Sequence, residues 1–245
     1  MMSGPGSGEA WAIEALGITK SFSRRPVLRN LHLKVAEGSF LTIFGANGSG
    51  KTTLIKLLST IARPETGSIV IAGMDTRENA TQVRRHLGVI LHQTLLYDDL
   101  TVQENLRFYG RMFDVPRLEE RIAFVAHRGG LNSRLLHPVR TLSRGLQQRA
   151  AICRALLHDP AILLLDEPET GLDRHASLAF WNTLASLKEE GKTIVMTTHN
   201  MEWGLNLGDQ VAILAEGRIA YQEDKATLSR ATFDGIYHRY TEVSP

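Results

Sequence analysis

The chain has 245 residues, 43% hydrophobic and 22% charged, enough to bury a sizeable core as one large α/β domain or one domain with a smaller lobe. Its 28 Lys and Arg nearly balance 26 Asp and Glu; a net charge of +2 gives no electrostatic case for nucleic acid, which demands a clustered basic face. The single cysteine, Cys153, excludes an internal disulfide, and no apolar run approaches the roughly 20 residues that span a bilayer.

Residues 1–10, MMSGPGSGEA, have no basic segment followed by an apolar core, and read as a Gly/Ser tail rather than a signal peptide. In LHLKV, residues 31–35, Leu31, Leu33 and Val35 alternate with His32 and Lys34, which predicts a half-exposed antiparallel strand. FLTIF at 40–44 is apolar throughout, as are GVIL at 88–91, AILLLD at 161–166, TIVMTT at 193–198 and VAIL at 211–214. Such runs suit strands buried on both faces of a parallel sheet. A helical pattern fills 178–191, LAFWNTLASLKEEG, with Gly191 placed as its C-terminal stop.

The stretch 94–141 carries helices and no strand. Thr101 and Glu104 have capping-box spacing, and Val102, Leu106, Tyr109 and Phe113 recur at helical intervals behind them. Gly129-Gly130 and His137-Pro138 break the pattern before LSRGLQQR at 142–149. Together these predict a helical subdomain over about 94–158, inserted in an α/β body that spans 11–221 and leaves 222–245 as a C-terminal tail. Cys153, in AAICRALL, reads as a small buried hydrophobe and fits a reducing compartment.

The nine residues GANGSGKTT, Gly45, Ala46, Asn47, Gly48, Ser49, Gly50, Lys51, Thr52 and Thr53, follow the strand FLTIF and open the helix KTTLIKLLST. This is a phosphate-binding loop in its required strand-to-helix context. Gly45, Gly48 and Gly50 let the backbone turn tightly and aim N–H groups at phosphate oxygens, and the helix N-terminus adds its positive end. Lys51 reaches β and γ phosphates; the Thr52 hydroxyl is placed for Mg²⁺. By chance the pattern arises in roughly one chain in a hundred of this length. ILLLDEP, 162–168, fits the second element: a buried strand carries Asp166 to its C-terminal end, beside the Mg²⁺ shell, with Glu167 next to it to polarise the attacking water. Alone, it is equally a strand and a polar turn.

The phosphate-binding loop, LSRGLQQR, ILLLDEP, TGLD and TTH, in that order and spacing, resemble the ATP-binding subunit of an ABC transporter across about residues 12–220. The resemblance implies a P-loop ATPase core with an N-terminal antiparallel β subdomain and an inserted helical subdomain. It implies ATP and Mg²⁺ as ligands, with Thr52, Gln93 and Asp166 around the metal. Gln93 in LHQTLLYDD becomes the glutamine that senses Mg²⁺ and γ-phosphate, Asp173 in TGLD a dimer-interface aspartate, and His199 in TTHN the γ-phosphate switch. Glu167 and His199 are its catalytic pair. Phe22, in TKSFSRRPVL, stands where the family usually stacks an aromatic on adenine. Read alone, His199 is a histidine at a sheet edge, Gln93 an ordinary polar residue and Phe22 an apolar residue packing on the first sheet. The pairs Arg24-Arg25 and Arg84-Arg85 are most simply solvated charge.

In that family the signature segment acts on a partner's nucleotide, so the resemblance implies a head-to-tail homodimer or pseudo-dimer. It also implies a peripheral position on the cytoplasmic face of the membrane, beside integral transporter subunits, with no nucleic-acid partner. Ser143 supplies the hydroxyl and Gly145 the close approach; Arg144 and Leu146 depart from the common LSGGQ. A hydrophobic residue in place of its glutamine is common in exporters of the ABC-2 type. The whole segments most resemble ATPases of haem exporters in cytochrome c maturation. Another exported cargo (drug, lipid, polysaccharide), an importer and an iron–sulfur assembly scaffold are the rival expectations.

Overall fold

The computed structural model describes residues 10–170, 172 and 174–241, with the backbone alone at 175. The chain opens with an antiparallel hairpin, β1 (Trp11–Phe22) and β2 (Arg25–Ala36), whose two-residue turn holds Ser23 and Arg24 at φ 49° and 65°. Two positive φ values match the right-handed twist of the flanking strands. Then follow β3 (Phe40–Phe44), α1 (Lys51–Leu58), β4 (Thr66–Ile71), β5 (Met74–Asp75), α2 (Ala80–Arg85) and β6 (Leu87–Ile90). Three helices, α3 (Val102–Met112), α4 (Leu118–Arg128) and α5 (Arg144–Leu156), precede β7 (Ile162–Asp166). The chain closes with α6 (Arg174–Glu189), β8 (Thr193–Thr197), α7 (Met201–Leu207), β9 (Gln210–Ala215), β10 (Arg218–Asp224) and α8 (Arg230–Thr241).

Two sheets result. The antiparallel one has the order β2-β1-β4-β5; the larger one has the order β10-β9-β3-β8-β7-β6, parallel except for the edge strand β10. The parallel strands read apolar throughout because both faces are covered. Leu41, Ile43, Leu164 and Val195 join Leu31, Leu33 and Ile69 of the first sheet and Leu54 of α1 in one core. Their neighbours Phe40, Leu163, Leu165, Ile194 and Met196 face the opposite way, onto Ala150 of α5 and Trp181 of α6. The α5 residue Cys153 is buried in that second core.

The capping box at Thr101 is present, with Thr101 N–H donating to Glu104 Oε2 (2.8 Å) and Glu104 N–H to Thr101 Oγ1 (3.1 Å). Gly191, at φ 77°, stops α6: its N–H donates to Lys188 O and that of Lys192 to Leu187 O. Two expectations change. The strand predicted at 31–35 is the regularly alternating part of a strand running from 25 to 36, and β1, β4 and β5 complete its sheet. Register shifts along β1, including one between Ala15 and Ile18, break the alternation that would have revealed it. Likewise β10 runs through residue 221, so the body does not end there. Within the predicted tail, α8 buries Phe233 against Phe44 at a ring distance of 4.9 Å. The predicted N-terminal tail, apart from Ala10, lies outside the described residues.

Candidate functional site

The loop between β3 and α1 is shaped by close packing. A Cβ on Gly45 would meet Leu214 O at 2.5 Å and Ser49 Oγ at 2.6 Å, so only glycine fits. Gly48 and Gly50 adopt φ 83° and 109°, the left-handed region that glycine enters without strain. Ser49 N–H donates to Ala46 O (3.1 Å), closing the turn. Ala46, Asn47, Gly48 and Thr52 are exposed, Ser49 and Thr53 half-buried, and α1 has no acid in its first turn to neutralise its positive end.

Lys51 is buried, and its Nζ lies 2.7 Å from Gly45 O, 3.2 Å from Ala46 O and 3.2 Å from Glu167 Oε1. Asp166, at the C-terminal end of β7, is buried; its Oδ1 accepts from Thr197 Oγ1 (2.9 Å), and it makes no ion pair among the described residues. Glu167 turns off the strand at φ 45°, a left-handed conformation that costs a non-glycine residue roughly 1–3 kcal/mol. Its N–H is held by Thr197 O (3.0 Å) and Thr197 Oγ1 (3.2 Å), and its Oε2 lies 3.5 Å from Nδ1 of the exposed His199. Thus the structure brings Lys51, Asp166, Glu167 and His199 together at the C-terminal ends of adjacent strands β3, β8 and β7, where ligands of parallel sheets bind.

Other predicted residues share no hydrogen bond or ion pair with this group among the described residues. Ser143 caps α5, its Oγ accepting from Leu146 N–H at 3.4 Å, and has no hydrogen bond to the phosphate loop. Ser143 and Arg144 are exposed; Gly145 is half-buried with Ala176 Cβ 3.1 Å from where its own Cβ would be. Gln93 is exposed on the loop after β6. Phe22, half exposed at the hairpin tip, has Lys20 Nζ 5.5 Å from its ring, so it does not pack into the first sheet's core. Asp173 lies outside the described residues.

Several site partners were not singled out in the sequence. Thr197 holds both acids; Gln148 Nε2 donates to Pro168 O (2.9 Å), tying α5 to the DEP turn. Arg154 Nη2 donates to Val89 O (2.6 Å), its guanidinium sits 5.2 Å from the Tyr109 ring, and the Tyr109 hydroxyl donates to Leu95 O beyond Gln93. The threonine is hinted at by TTH. Nothing local marks the others, whose partners are distant in sequence.

The family profile described as "ABC transporter" matches residues 28–170. The ABC transporter ATP-binding protein NatA of Bacillus subtilis is 36% identical over 198 residues, 80% of each chain. The Nod factor export ATP-binding protein I of Ralstonia nicotianae is 35% identical over 217 residues, 88% of this chain and 68% of the relative. Neither name carries haem, so the expectation of haem export gains no support from them. Among solved structures, a dimeric post-hydrolysis state of the ATP-binding cassette MJ0796 bound to ADP and Pi superposes with a TM-score of 0.80 at 28% identity, over 87% of this chain and 98% of that one. An ATP-binding subunit of an ABC transporter gives a TM-score of 0.85 at 26% identity, over 94% and 99%. No helix among the described residues is long and apolar enough to cross a membrane. The ABC ATPase fold, with its antiparallel β sheet and inserted helices, is therefore shared with proteins of known role, and this chain belongs to the ABC transporter family as an ATP-hydrolysing transporter subunit.

Proposed function

We propose that the chain is the ATPase of an ABC exporter, peripheral on the cytoplasmic face of the membrane. Two copies, or one copy and an equivalent partner, close head to tail on two MgATP and move separate membrane subunits. The observation that carries this reading is the convergence of Lys51, Asp166, Glu167 and His199 beside a glycine loop, with Ser143 displayed elsewhere on an exposed helix tip.

The loop amides from 46 to 53 and Lys51 bind phosphate oxygens, and Phe22 offers an exposed ring to the adenine. The donors Thr52, Asp166 and Gln93 suit Mg²⁺, a hard cation that takes oxygen ligands from one or two carboxylates together with substrate phosphates. Asp166 fits that place: it is a buried carboxylate whose sole hydrogen-bond partner among the described residues is a neutral hydroxyl. When bound, Mg²⁺ supplies neutralisation of phosphate charge. Glu167 takes a proton from the water that attacks the γ-phosphorus, and the bond to the bridging oxygen breaks to release ADP and phosphate. His199, against Glu167, orients the pair toward the γ-phosphate. A partner's Ser143, Gly145 and α5 N-terminus close the open side of the nucleotide, and Asp173 joins the same interface.

General-base help is worth about 10²–10⁴ in rate. Glu167→Gln is therefore expected to bind ATP and dimerise while hydrolysing it at least a hundredfold more slowly; wild-type turnover in that variant would sink the assignment. Leu146 in place of glutamine, and two relatives named for export of Nod factor, favour export over import and suggest a cargo other than haem. Copurification with an integral membrane protein is expected; its failure from intact membranes would favour the scaffold reading.

A further inference from the structure

The turn after β7 reads Asp166-Glu167-Pro168-Glu169-Thr170, and the proposed chemistry uses its first two acids. A third acid, two residues further on, would ordinarily be a solvated charge. Glu169 is mostly buried instead. Its Oε1 accepts a hydrogen bond from the Thr198 hydroxyl, and its Oε2 is buried with no partner among the described residues. Thr198 is the residue before His199. Its Oγ1 also accepts from the N–H of Asn200, the residue after (2.9 Å), and Asn200 in turn caps α7 by accepting from Trp203 N–H at 3.2 Å.

His199 is thus flanked by two residues that lead back to Glu169. The opposite wall is equally fixed. Thr170 N–H donates to Glu167 O (3.1 Å), and Glu167 N–H to Thr197 O (3.0 Å), so the acid turn is closed on itself and pinned to β8. The His199 turn is packed on one side only, where Thr198 is fully buried and its N–H donates to Ile43 O (3.2 Å). Behind it lies a cavity of about 290 Å³ lined by Glu169, Ser177, Trp181, His199, Asn200 and Trp203. The Trp181 and Trp203 rings stack at 5.2 Å on its wall, and Trp181 Nε1 has no partner among the described residues. On that open side the hydrogen bonds through Thr198 and Asn200 hold the turn in place.

We infer that Glu169 is a positioning residue for ATP hydrolysis: through Thr198 it braces the His199 turn against the Glu167 turn and fixes the contact between these two side chains. The inference rests on the proposed roles of Glu167 and His199. Burial, and to a smaller degree the nearby charge of Glu167, push the Glu169 carboxyl up, and glutamine keeps an acceptor oxygen where the Thr198 hydroxyl donates. The brace then needs an acceptor oxygen at this position rather than a negative charge.

The test is steady-state ATPase activity of the full chain, with ATP binding and thermal melting measured on the same preparations. Glu169→Ala and Thr198→Val are each expected to lower kcat by about 10- to 100-fold, the scale of an ångström-sized misplacement of catalytic groups. KM for ATP and ATP binding should stay within about twofold, since neither residue lies in the phosphate-binding loop. Glu169→Gln should recover most of the turnover, and the double variant should be no slower than the slower single one. Wild-type kcat in Glu169→Ala or Thr198→Val, no recovery by glutamine, or additive losses would each overturn the brace. If Glu169→Ala does not fold, Thr198→Val and Glu169→Gln decide the matter alone. Glu167→Gln is run alongside: if it turns over at the wild-type rate the base assignment fails, whereas an inert Glu167→Gln beside a fully active Glu169→Ala removes the brace only.

Discussion

Replacing Phe233 with alanine asks whether the residues beyond 221 are part of the ATP-binding body. The Phe233 ring is fully buried, 4.9 Å from Phe44 and inclined 55° to it, and 6.3 Å from Tyr237. Leu205, Val211 and Ile213 complete this cluster, and Phe44 is the residue before Gly45 of the phosphate loop. Emptying a buried phenylalanine site costs about 3–5 kcal/mol. Because α8 is the last element described, it can settle into part of the gap, which places the cost near 3 kcal/mol, the lower end of that range. In a chain of this size each kcal/mol moves Tm by about 2–4 °C, so a fall of about 6–12 °C is expected by scanning calorimetry or circular dichroism. Tyr240→Ala, on the same helix but more exposed, is the control and should shift Tm by no more than about 2 °C. Equal, small shifts in the two variants would refute the reasoning and make α8 an appendage.

Thr197→Val removes the hydroxyl that donates to Asp166 and accepts from Glu167 N–H; it should cost about 1–3 kcal/mol in urea unfolding and lower ATPase kcat at least tenfold. His158 is held near pKa 4, below its usual 6.5, chiefly by burial, so its contribution to stability is full above pH 6.5 and is lost as pH falls toward 4. Against wild type, His158→Gln should flatten the stability–pH curve across that window by up to about 3 kcal/mol, and parallel curves would contradict it. Ser143→Ala should leave ATP binding by the monomer intact and cost about 1 kcal/mol of helix capping, yet impair ATP-driven pairing in analytical ultracentrifugation; equal dimerisation would count against the trans role.

What could be read from the residues follows physical rules. Strands β3, β7 and β8 were legible because both their faces are covered, so burial imposed an unbroken apolar run: Phe40 and Leu41 point into different cores. The first sheet was legible only in part, since its one regular segment, 31–35, sits in β2 while shifts in register scramble β1. The last strand and helix carried little signal, because β10 is a half-exposed edge strand and α8 has one fully buried side chain, Phe233. In the site, the loop at 45–53 and Asp166-Glu167 announce themselves because phosphate chemistry demands several residue types within a few positions. Thr197, Gln148 and Glu169 do not, because their roles arise from partners 31, 20 and 29 positions away.

Those long-range contacts also explain why the arginine in LSRGLQQR is no obstacle. The tip of α5, with Ser143 and Arg144 exposed, has no acid in its first turn, so its positive end is unneutralised and Arg144 only adds to it. Two of the inward attachments of α5 lead to the site. Gln148 holds Pro168, next to Glu167, and Arg154 holds Val89 and the ring of Tyr109, whose hydroxyl reaches Leu95 on the loop that carries Gln93. Contiguous contacts therefore run from this 13-residue helix to the acid turn and to the Gln93 loop. The substitution at 144 alters the outward face alone, while the residues that connect that face to the chain's own site lie one to three turns further along, untouched.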